Sequence, residues 1–316
     1  METIGTWWMW TGFAVFVVIA IAVDLLVMRQ QGAHKVSFKE ALLWSAIWVF
    51  LAFVFNGLLW WYLRDTTTVA FANQKALEFL TGYLVEKALA VDNIFVFLMI
   101  FTFFAVPVQY QKRALIIGVI GAIVLRALMI LIGAWLIAQF HWILYLFGLF
   151  LLLTGAKMLW LGDQKPDLEQ NPVLRFLRGR FKILPEFDGE NFFTVRNGVR
   201  YATPLFLVIC MIGITDVIFA VDSIPAIFAI TTDPFIVLTS NIFAILGLRA
   251  MYFMLADMAD RFHLLSYGLA FVLMFIGVKM LLIDIYKIPI GISLGFVAFL
   301  IASSMVASLV IKPKPG

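Results

Sequence analysis

Four acidic residues lie inside long apolar segments, where a charge is costly. They are Glu86, Asp92, Asp216 and Asp222. Insertion scales place one aspartate at the centre of a membrane helix at about +2.5–3.5 kcal/mol, so four isolated acids cost on the order of 10 kcal/mol. That sum is comparable with the whole stability of a typical protein. The acids are therefore expected to be paired with cations, protonated or bound to a metal ion.

Further oxygen-bearing side chains accompany these acids. Asn93 and Ser223 directly follow two of them, and Thr215 directly precedes a third. Pro225 removes a backbone donor and is expected to break its helix, which would free carbonyl oxygens. An all-oxygen shell suits hard cations such as Mn²⁺, Ca²⁺ or Mg²⁺, and suits copper and zinc less well. The predicted metal site comprises Glu86, Asp92, Asn93, Asp216, Asp222 and Ser223.

Intramembrane cations offer a different explanation for the same acids. Lys87, Arg126 and Arg249 could form internal ion pairs with them, the two arginines being the better buried partners, and Lys157 and Lys279 are further candidates. Lys157 and Lys279 lie closer to the ends of their segments, so their amines can reach the membrane interface. On this alternative the acids are structural and bind no ligand. Asp24 lies near the inner end of the first segment and is expected to be solvated, outside the site.

The composition fixes the class of protein in which these acids lie. Of 316 residues, 64% are hydrophobic and 13% are charged, against roughly 45–50% and about 25% in soluble proteins. An integral membrane protein is expected, and soluble enzymes and nucleic-acid binders are excluded. Cys210 is the single cysteine, so no intramolecular disulfide or cysteine cluster exists. No histidine lies beside a serine or threonine as a base, so we expect no enzyme and no prosthetic group.

Apolar runs about 20 residues long predict an all-α polytopic membrane protein with about nine transmembrane helices. The predicted spans are 7–28, 41–63, 76–104, 114–140, 142–161, 201–230, 235–255, 264–285 and 290–311. The polar stretch 162–200 carries three prolines and mixed charge and is predicted to be a linker. The predicted divisions are a two-helix segment 1–75, a first repeat 76–161, the linker, a second repeat 201–286, and a terminal helix and tail 287–316.

The basic residues between these spans predict the orientation. With the N-terminus outside, the cytoplasmic segments hold fifteen lysines and arginines and the outer segments hold three. This asymmetry follows the positive-inside rule. The linker 162–200 and the C-terminus are therefore predicted to be cytoplasmic, in a bacterial inner (plasma) membrane.

Three pairs of short segments match in the same order along the two halves. They are EKALAVDNIF at 86–95 with DVIFAVDSIP at 216–225, LRALM at 125–129 with LRAMY at 248–252, and GAKML at 155–159 with GVKML at 277–281. Each copy contains three predicted helices, an odd number, so the copies would cross the membrane in opposite senses. Inverted repeats of this kind place the substrate site near the midplane at the repeat interface.

The segments GYLVEKALAVDNIFVF at 82–97 and TDVIFAVDSIPAIFAITTDPFIVLTSNIFAILGLRAMYF at 215–253 resemble the TerC family of bacterial membrane proteins. The resemblance implies export of Mn²⁺ from the cytoplasm, and some members are linked to tellurite resistance or alkaline stress. It makes the four acids the metal-binding residues, with Asn93 and Ser223 as neighbours. One position departs from the family: Gly213 stands where a glutamate is expected, three residues before Asp216.

The favoured hypothesis is a secondary transporter that exports Mn²⁺ in exchange for protons by moving one repeat against the other. A channel mechanism is also open. The alternative is a membrane assembly or stress-response scaffold whose acids form structural ion pairs and whose linker contacts protein partners. On either hypothesis the protein lies in a lipid bilayer and binds no nucleic acid. The transport hypothesis adds a divalent cation, most simply Mn²⁺, and protons as the expected ligands.

Overall fold

A computed structural model describes residues 3–31, 38–140, 142–161, 172–196, 198–256, 264–286 and 288–311. The described chain is helical apart from one small hairpin. Its helices are α1 (Trp7–Gln31), α2 (Phe38–Thr66), α3 (Val69–Phe103), α4 (Val108–Gln139), α5 (Ile143–Leu161), α6 (Pro172–Arg180), α7 (Pro204–Phe228), α8 (Pro234–Leu246), α9 (Leu248–Ala256), α10 (Leu265–Leu281) and α11 (Ile290–Val310). The hairpin pairs β1 (Phe193–Arg196) with β2 (Val199–Ala202).

Seven described helical segments are long and apolar enough to cross a membrane. They are α1, α2, α4, α5, α7, α11 and the span Pro234–Met254, which contains α8 and most of α9. Two further helices coincide with predicted spans: α10 has 17 residues, and α3 is 35 residues long but carries five charged residues. The multi-pass helical architecture is therefore confirmed, while nine spans remain a prediction.

Sequence signals at the N-termini of three helices fix where they begin. Thr68, Thr203 and Asp233 are the N-cap residues of α3, α7 and α8, and each side chain accepts a backbone N–H two or three residues ahead. Such caps satisfy donors that the helix itself leaves unpaired. Proline at the first position of α7 and α8 adds a residue whose backbone already suits a helix start. The helices that hold the predicted acids thus begin at defined residues.

The predicted linker contains structure of its own. Within 172–200 the chain forms α6 and most of the hairpin, and Leu184 N donates to Ala202 O at 2.9 Å. Leu174 and Leu177 bury one face of α6, which packs against α7. Arg113 at the start of α4 pairs with Glu190 at 2.6 Å. These contacts attach the described part of the linker to the ends of α4 and α7.

The helices of the two halves pack against one another at the centre of the molecule. The first helix of one half, α3, contacts α7 and α8, while α4 contacts α7 and α5 contacts α10. The α5–α10 interface is close enough for an added Cβ at Gly277 to lie 2.7 Å from the carbonyl oxygen of Gly148. Backbones can approach this closely only where side chains are small.

The helix predicted at 235–255 is interrupted, which corrects the sequence-based expectation. α8 ends at Leu246, Gly247 is its C-cap, and α9 begins at Leu248. A Cβ at Gly247 would lie 2.5 Å from Lys87 Nζ and 3.3 Å from Trp48 Cβ. The absence of a side chain therefore allows both neighbours to approach the interruption.

The break expected at Pro225 is not present. α7 continues through Pro225 to Phe228. Residues 223–228 are all buried, so packing on every side holds the turn despite the missing backbone donor. The discontinuity lies in the α8–α9 segment instead.

Candidate functional site

Arg126 lies between two of the predicted site acids. Its side chain is 1% exposed, Nη2 is 2.9 Å from Asp216 Oδ1, and Nε donates to Asp216 Oδ2 at 3.3 Å. Nη1 forms an ion pair with Glu86 Oε1. The planar guanidinium presents donors in a fixed fork, so one arginine can bind two carboxylates in defined directions. The ion pairing that the sequence left as an alternative is therefore present at Glu86 and Asp216.

Two uncharged side chains complete the surroundings of Arg126. Nη1 donates to Ser223 Oγ and to Asn241 Oδ1, each at 3.4 Å. Asn241 lies on α8, is fully buried, and was missed by sequence reasoning. Its signal was present, because an asparagine inside the apolar run 234–246 is itself an intramembrane polar residue. The Arg126 network thus joins α3, α4, α7 and α8.

A cavity of about 50 Å³ adjoins this network. By the same measure one water needs roughly 10–15 Å³, so the space admits an ion with part of its hydration. Its lining residues are Glu86, Leu89, Asn93, Arg126, Met158, Phe219, Asp222, Ser223 and Leu273. Buried Glu86 Oε2 and Asn93 Oδ1 have no hydrogen-bond partner among the described residues. Oxygen acceptors are therefore available to a cation at this position.

Asp222 occupies the half-buried edge of the cavity. Thr154 on α5 donates to its Oδ1 at 3.5 Å, a long hydrogen bond. Lys157 interacts with Asp222 electrostatically, but its own side chain is exposed. Asp222 therefore keeps more freedom than Glu86 or Asp216 to bind an incoming cation.

The structure assembles most of the predicted site residues. Glu86, Asn93, Asp222 and Ser223 line the cavity, and Asp216 is joined to them through Arg126. Asp92 lies on α3, but its side chain is outside the described part of the chain. Thr215 donates within its own helix, to Met211 O and Ile212 O at 2.9 Å each. Within the described ranges, no three His, Cys, Asp or Glu side chains cluster closely enough to hold a metal ion by themselves.

Asp24 is not a solvated residue, which corrects the expectation for it. It forms an ion pair with Arg249 of α9, and the two side chains are 17% and 9% exposed. The first helix is packed against the interior at this depth rather than facing water. Lys87 is directed elsewhere, and its Nζ donates to Ala244 O at 3.2 Å. The second arginine of the matching segments is therefore bound by an acid that sequence reasoning left out of the site.

Gly213 lies on α7, one turn before Asp216. A Cβ built there meets no other atom within 4 Å. The position that departs from the expected family pattern thus has room for a side chain.

Known proteins resemble this chain over nearly its full length. Residues 71–315 match the integral membrane protein TerC family. The chain is 57% identical to the "Putative membrane-bound redox modulator Alx" of Escherichia coli strain K12, over 94% of this chain and 92% of that protein. It is 48% identical to the uncharacterized membrane protein STKORF319 of Myxococcus xanthus, over 98% and 95% of the two chains. An uncharacterized membrane protein of Rickettsia felis is 39% identical over 96% of this chain and 98% of its own.

No solved structure matches the chain. The sequence relatives extend across both halves that carry the site residues, and the family match begins within α3 and includes every helix after it. The resemblance noted in the sequence is thereby confirmed. This chain belongs to the TerC family of integral membrane proteins.

Proposed function

We propose that this protein is a secondary transporter that exports Mn²⁺ from the cytoplasm, with the cavity beside Arg126 as the substrate site. The observation that carries the proposal is the combination of Asp222, Asn93 Oδ1 and Glu86 Oε2 around one intramembrane space. These are hard oxygen donors, which suit Mn²⁺. Placing an ionisable group inside a membrane-spanning helix costs free energy, so such groups are rare and usually mark ion pathways.

The charges around the cavity suit a divalent cation. Among the described side chains, Glu86, Asp216 and Asp222 contribute three negative charges when ionised, and Arg126 contributes one positive charge. The remaining charge of minus two is neutralised by one divalent ion. Arg126 binds two of the acids, so an arriving cation competes with its guanidinium for their oxygens.

Proton exchange follows from the same competition. A protonated carboxyl group carries no charge and binds a metal ion weakly, because metal ligation needs the deprotonated form. Protons that reach the acids from outside would therefore release Mn²⁺ there and enter in its place. This makes protons the counter-ion of the proposed export.

Reciprocal contacts between the halves support inverted repeats. An added Cβ at Gly277 would lie 2.7 Å from Gly148 O, and one at Gly155 would lie 2.7 Å from Ala270 O. The sequence offset of 122 carries Gly155 to Gly277 and Gly148 to Ala270, so it exchanges the two contacts. A two-fold relation between α5 and α10 produces that pattern. Repeats related in this way allow one half to rock against the other around a central site.

A scaffold is the second candidate, and one observation favours it. Arg126 pairs with both Glu86 and Asp216 in the interior, so each acid has a cationic partner without a ligand. The Escherichia coli relative carries a name that refers to redox modulation. Thiol–disulfide exchange within one chain needs two cysteines, and this chain has Cys210 alone. A redox or assembly role would therefore act through a partner.

Flux measurements on purified protein in vesicles separate the two candidates. Release of Mn²⁺, Ca²⁺, Mg²⁺ and Zn²⁺ is followed in parallel with and without a pH gradient. Asp222→Asn should reduce Mn²⁺ flux by at least about tenfold while the protein remains folded, because one ligand charge is lost. Glu186→Gln, on the exposed linker, is the matched control and should behave like the unaltered chain. Equal flux from Asp222→Asn would contradict the site, and no flux from the unaltered chain would favour the scaffold.

The proposed direction of export depends on orientation. We expect α6 and the hairpin to lie in the cytoplasm, because the predicted cytoplasmic segments hold fifteen basic residues and the predicted outer segments hold three. Protease added to intact cells should leave residues 172–200 uncut, and protease added to inside-out vesicles should cleave exposed positions such as Arg180. Cleavage there from the outside of intact cells would reverse the orientation.

A further inference from the structure

The two arginines of the matching segments LRALM and LRAMY have different partners in this structure. Arg126 lies between Glu86 and Asp216, whereas Arg249 is held by Asp24. We propose that Asp24 keeps Arg249 away from the two acids, and that Arg249 replaces Arg126 between them when the transporter changes state. This inference rests on the proposed transport function and assigns Asp24 and Arg249 as positioning residues for it.

The equivalence of the residues comes from the sequence offsets. An offset of 130 carries Glu86 to Asp216, and an offset of 123 carries Arg126 to Arg249. The two acids that Arg126 binds are therefore each other's counterparts. If the halves exchange conformations during transport, the counterpart of the observed arrangement has Arg249 bound to the same two acids.

Only one of the two arginines can occupy this position at a time. The guanidinium of Arg126 is buried among Glu86, Asp216, Ser223 and Asn241. A second guanidinium there would face like-charge repulsion in a medium where charges are poorly screened. The unused arginine consequently needs another anion. Asp24 supplies it from α1, which lies outside both matching halves.

Arg249 is less completely bound than Arg126. Its buried Nε has no hydrogen-bond partner among the described residues, whereas Arg126 Nε donates to Asp216. Lys112 on α4 is close enough to repel it, while Glu40 attracts Lys112. A buried donor without a partner costs free energy that a move into a better site recovers. In a position between the two acids, Arg249 would exchange its contact with Asp24 for new carboxylate contacts and could also gain a partner for Nε.

The interruption at Gly247 lies next to Arg249, where a change of partner requires the start of α9 to move. Arg249 follows Gly247 by two residues, at the start of α9. Lys87, the chain neighbour of Glu86, donates to Ala244 O just before the interruption. The start of α9 and the acid on α3 are therefore on adjacent stretches of packed helices. A pivot at a helix junction moves a side chain without unfolding either helix.

Thermal unfolding of purified protein in detergent tests the exchange without measuring transport. Arg126→Gln removes the partner of both acids and should lower the unfolding midpoint. Adding Asp24→Asn frees Arg249 to take the vacant place, so the double variant should unfold at least roughly 2 °C higher than Arg126→Gln alone. If the two ion pairs are independent and only structural, the double variant should unfold at a lower temperature than Arg126→Gln alone, because the two losses of stability add.

Two controls make the rescue specific. Arg126→Gln with Asp24→Asn and Arg249→Gln should lose the rescue, because no second guanidinium remains. Arg126→Gln with Glu190→Gln breaks the exposed pair of Arg113 instead and should show no rescue. If Arg126→Gln alone does not fold, recovery of folded protein on adding Asp24→Asn is the expected result, and Arg126→Lys provides the measurable pair of variants.

The outcomes separate this inference from the transport proposal. Additive losses in Arg126→Gln with Asp24→Asn overturn the exchange of arginines, even if the unaltered chain moves Mn²⁺. Rescue with no Mn²⁺ flux from the unaltered chain supports two alternative positions for arginine but overturns transport. Rescue together with flux supports both. The charge reversal Asp24→Arg with Arg249→Asp should be more stable than either single variant, because it restores an ion pair between α1 and α9. Its Mn²⁺ flux should stay about tenfold or more below that of the unaltered chain, because an aspartate at position 249 cannot bind Glu86 and Asp216.

Discussion

Arg126 and Arg249 stand in the same short motif but bind different side chains. Arg126 is bound by side chains from α3, α7 and α8, and every one of its nitrogens has a partner. Arg249 has a single acid, from α1, and its Nε lacks a partner in the described part of the chain. The comparison shows that matching sequence motifs share a residue type without sharing its partner. Which partner each arginine binds depends on how its helix packs against helices outside the motif, such as α1 at Arg249.

Removing each arginine in turn tests this comparison and should give its largest effect. Arg126→Gln leaves two buried acids without a cation, and breaking such a pair typically costs about 3–5 kcal/mol. Arg249→Gln leaves one partly buried acid and should cost about 1–3 kcal/mol. Arg113→Gln breaks an exposed pair and should cost about 0–1 kcal/mol. Unfolding midpoints in one detergent rank the three variants, and an equal loss for Arg126→Gln and Arg249→Gln would contradict the comparison.

A second comparison lies between the α5–α10 interface and the exposed helix α11. A Cβ at Gly277 would lie 2.7 Å from Gly148 O and 2.8 Å from Leu152 N, both backbone atoms. Gly277→Ala must therefore shift a helix and should destabilise the protein by about 1–3 kcal/mol. At Gly295 a Cβ meets nothing within 4 Å, so Gly295→Ala should stabilise α11 by roughly 0.5–1 kcal/mol. The measurement is the change in thermal unfolding midpoint relative to the unaltered chain. Changes of the same sign for both variants would show that close packing does not govern the interface.

The sequence predicted the class and the polar centre of this fold for identifiable physical reasons. Long apolar runs indicate membrane helices because the bilayer fixes their length. Acids inside such runs demand partners, which led to Glu86, Asp216 and Arg126 before any contact was known. The sequence therefore indicated which acids need partners, but it favoured a metal ion over Arg126 as the partner and did not include Asn241 in the network.

Other features depend on contacts between distant segments and were out of reach. Asp24 is 225 residues from Arg249, and nothing in its surroundings along the chain indicates that the two meet. Pro225 carried a strong local signal for a break, yet the buried neighbours on its turn keep α7 continuous. Gly247 carried a weaker signal, and the junction forms there because Lys87 and Trp48 pack against it. Tertiary packing overrode local preference in each of these cases.

A substitution at Gly213 can distinguish a cation pathway from a set of structural ion pairs. It lies three residues before Asp216, so a side chain there shares a helix face with that acid. Space around it is open, and Gly213→Glu therefore adds a carboxylate without a clash.

If the cavity binds a divalent cation, the Mn²⁺ concentration for half-maximal flux of the Gly213→Glu variant should fall by about threefold to tenfold, equivalent to at most about 1.4 kcal/mol of added binding. If the acids serve only as ion pairs, the extra charge should destabilise the protein by about 0.5–3 kcal/mol and bring no response to metal. Gly213→Gln has the same size without the charge and separates the effect of the carboxylate from that of the side chain. Mn²⁺ flux, and the thermal midpoint with and without Mn²⁺, decide between the cation pathway and the structural ion pairs. A Glu variant that is less stable than the Gln variant and equally insensitive to Mn²⁺ would favour the ion pairs.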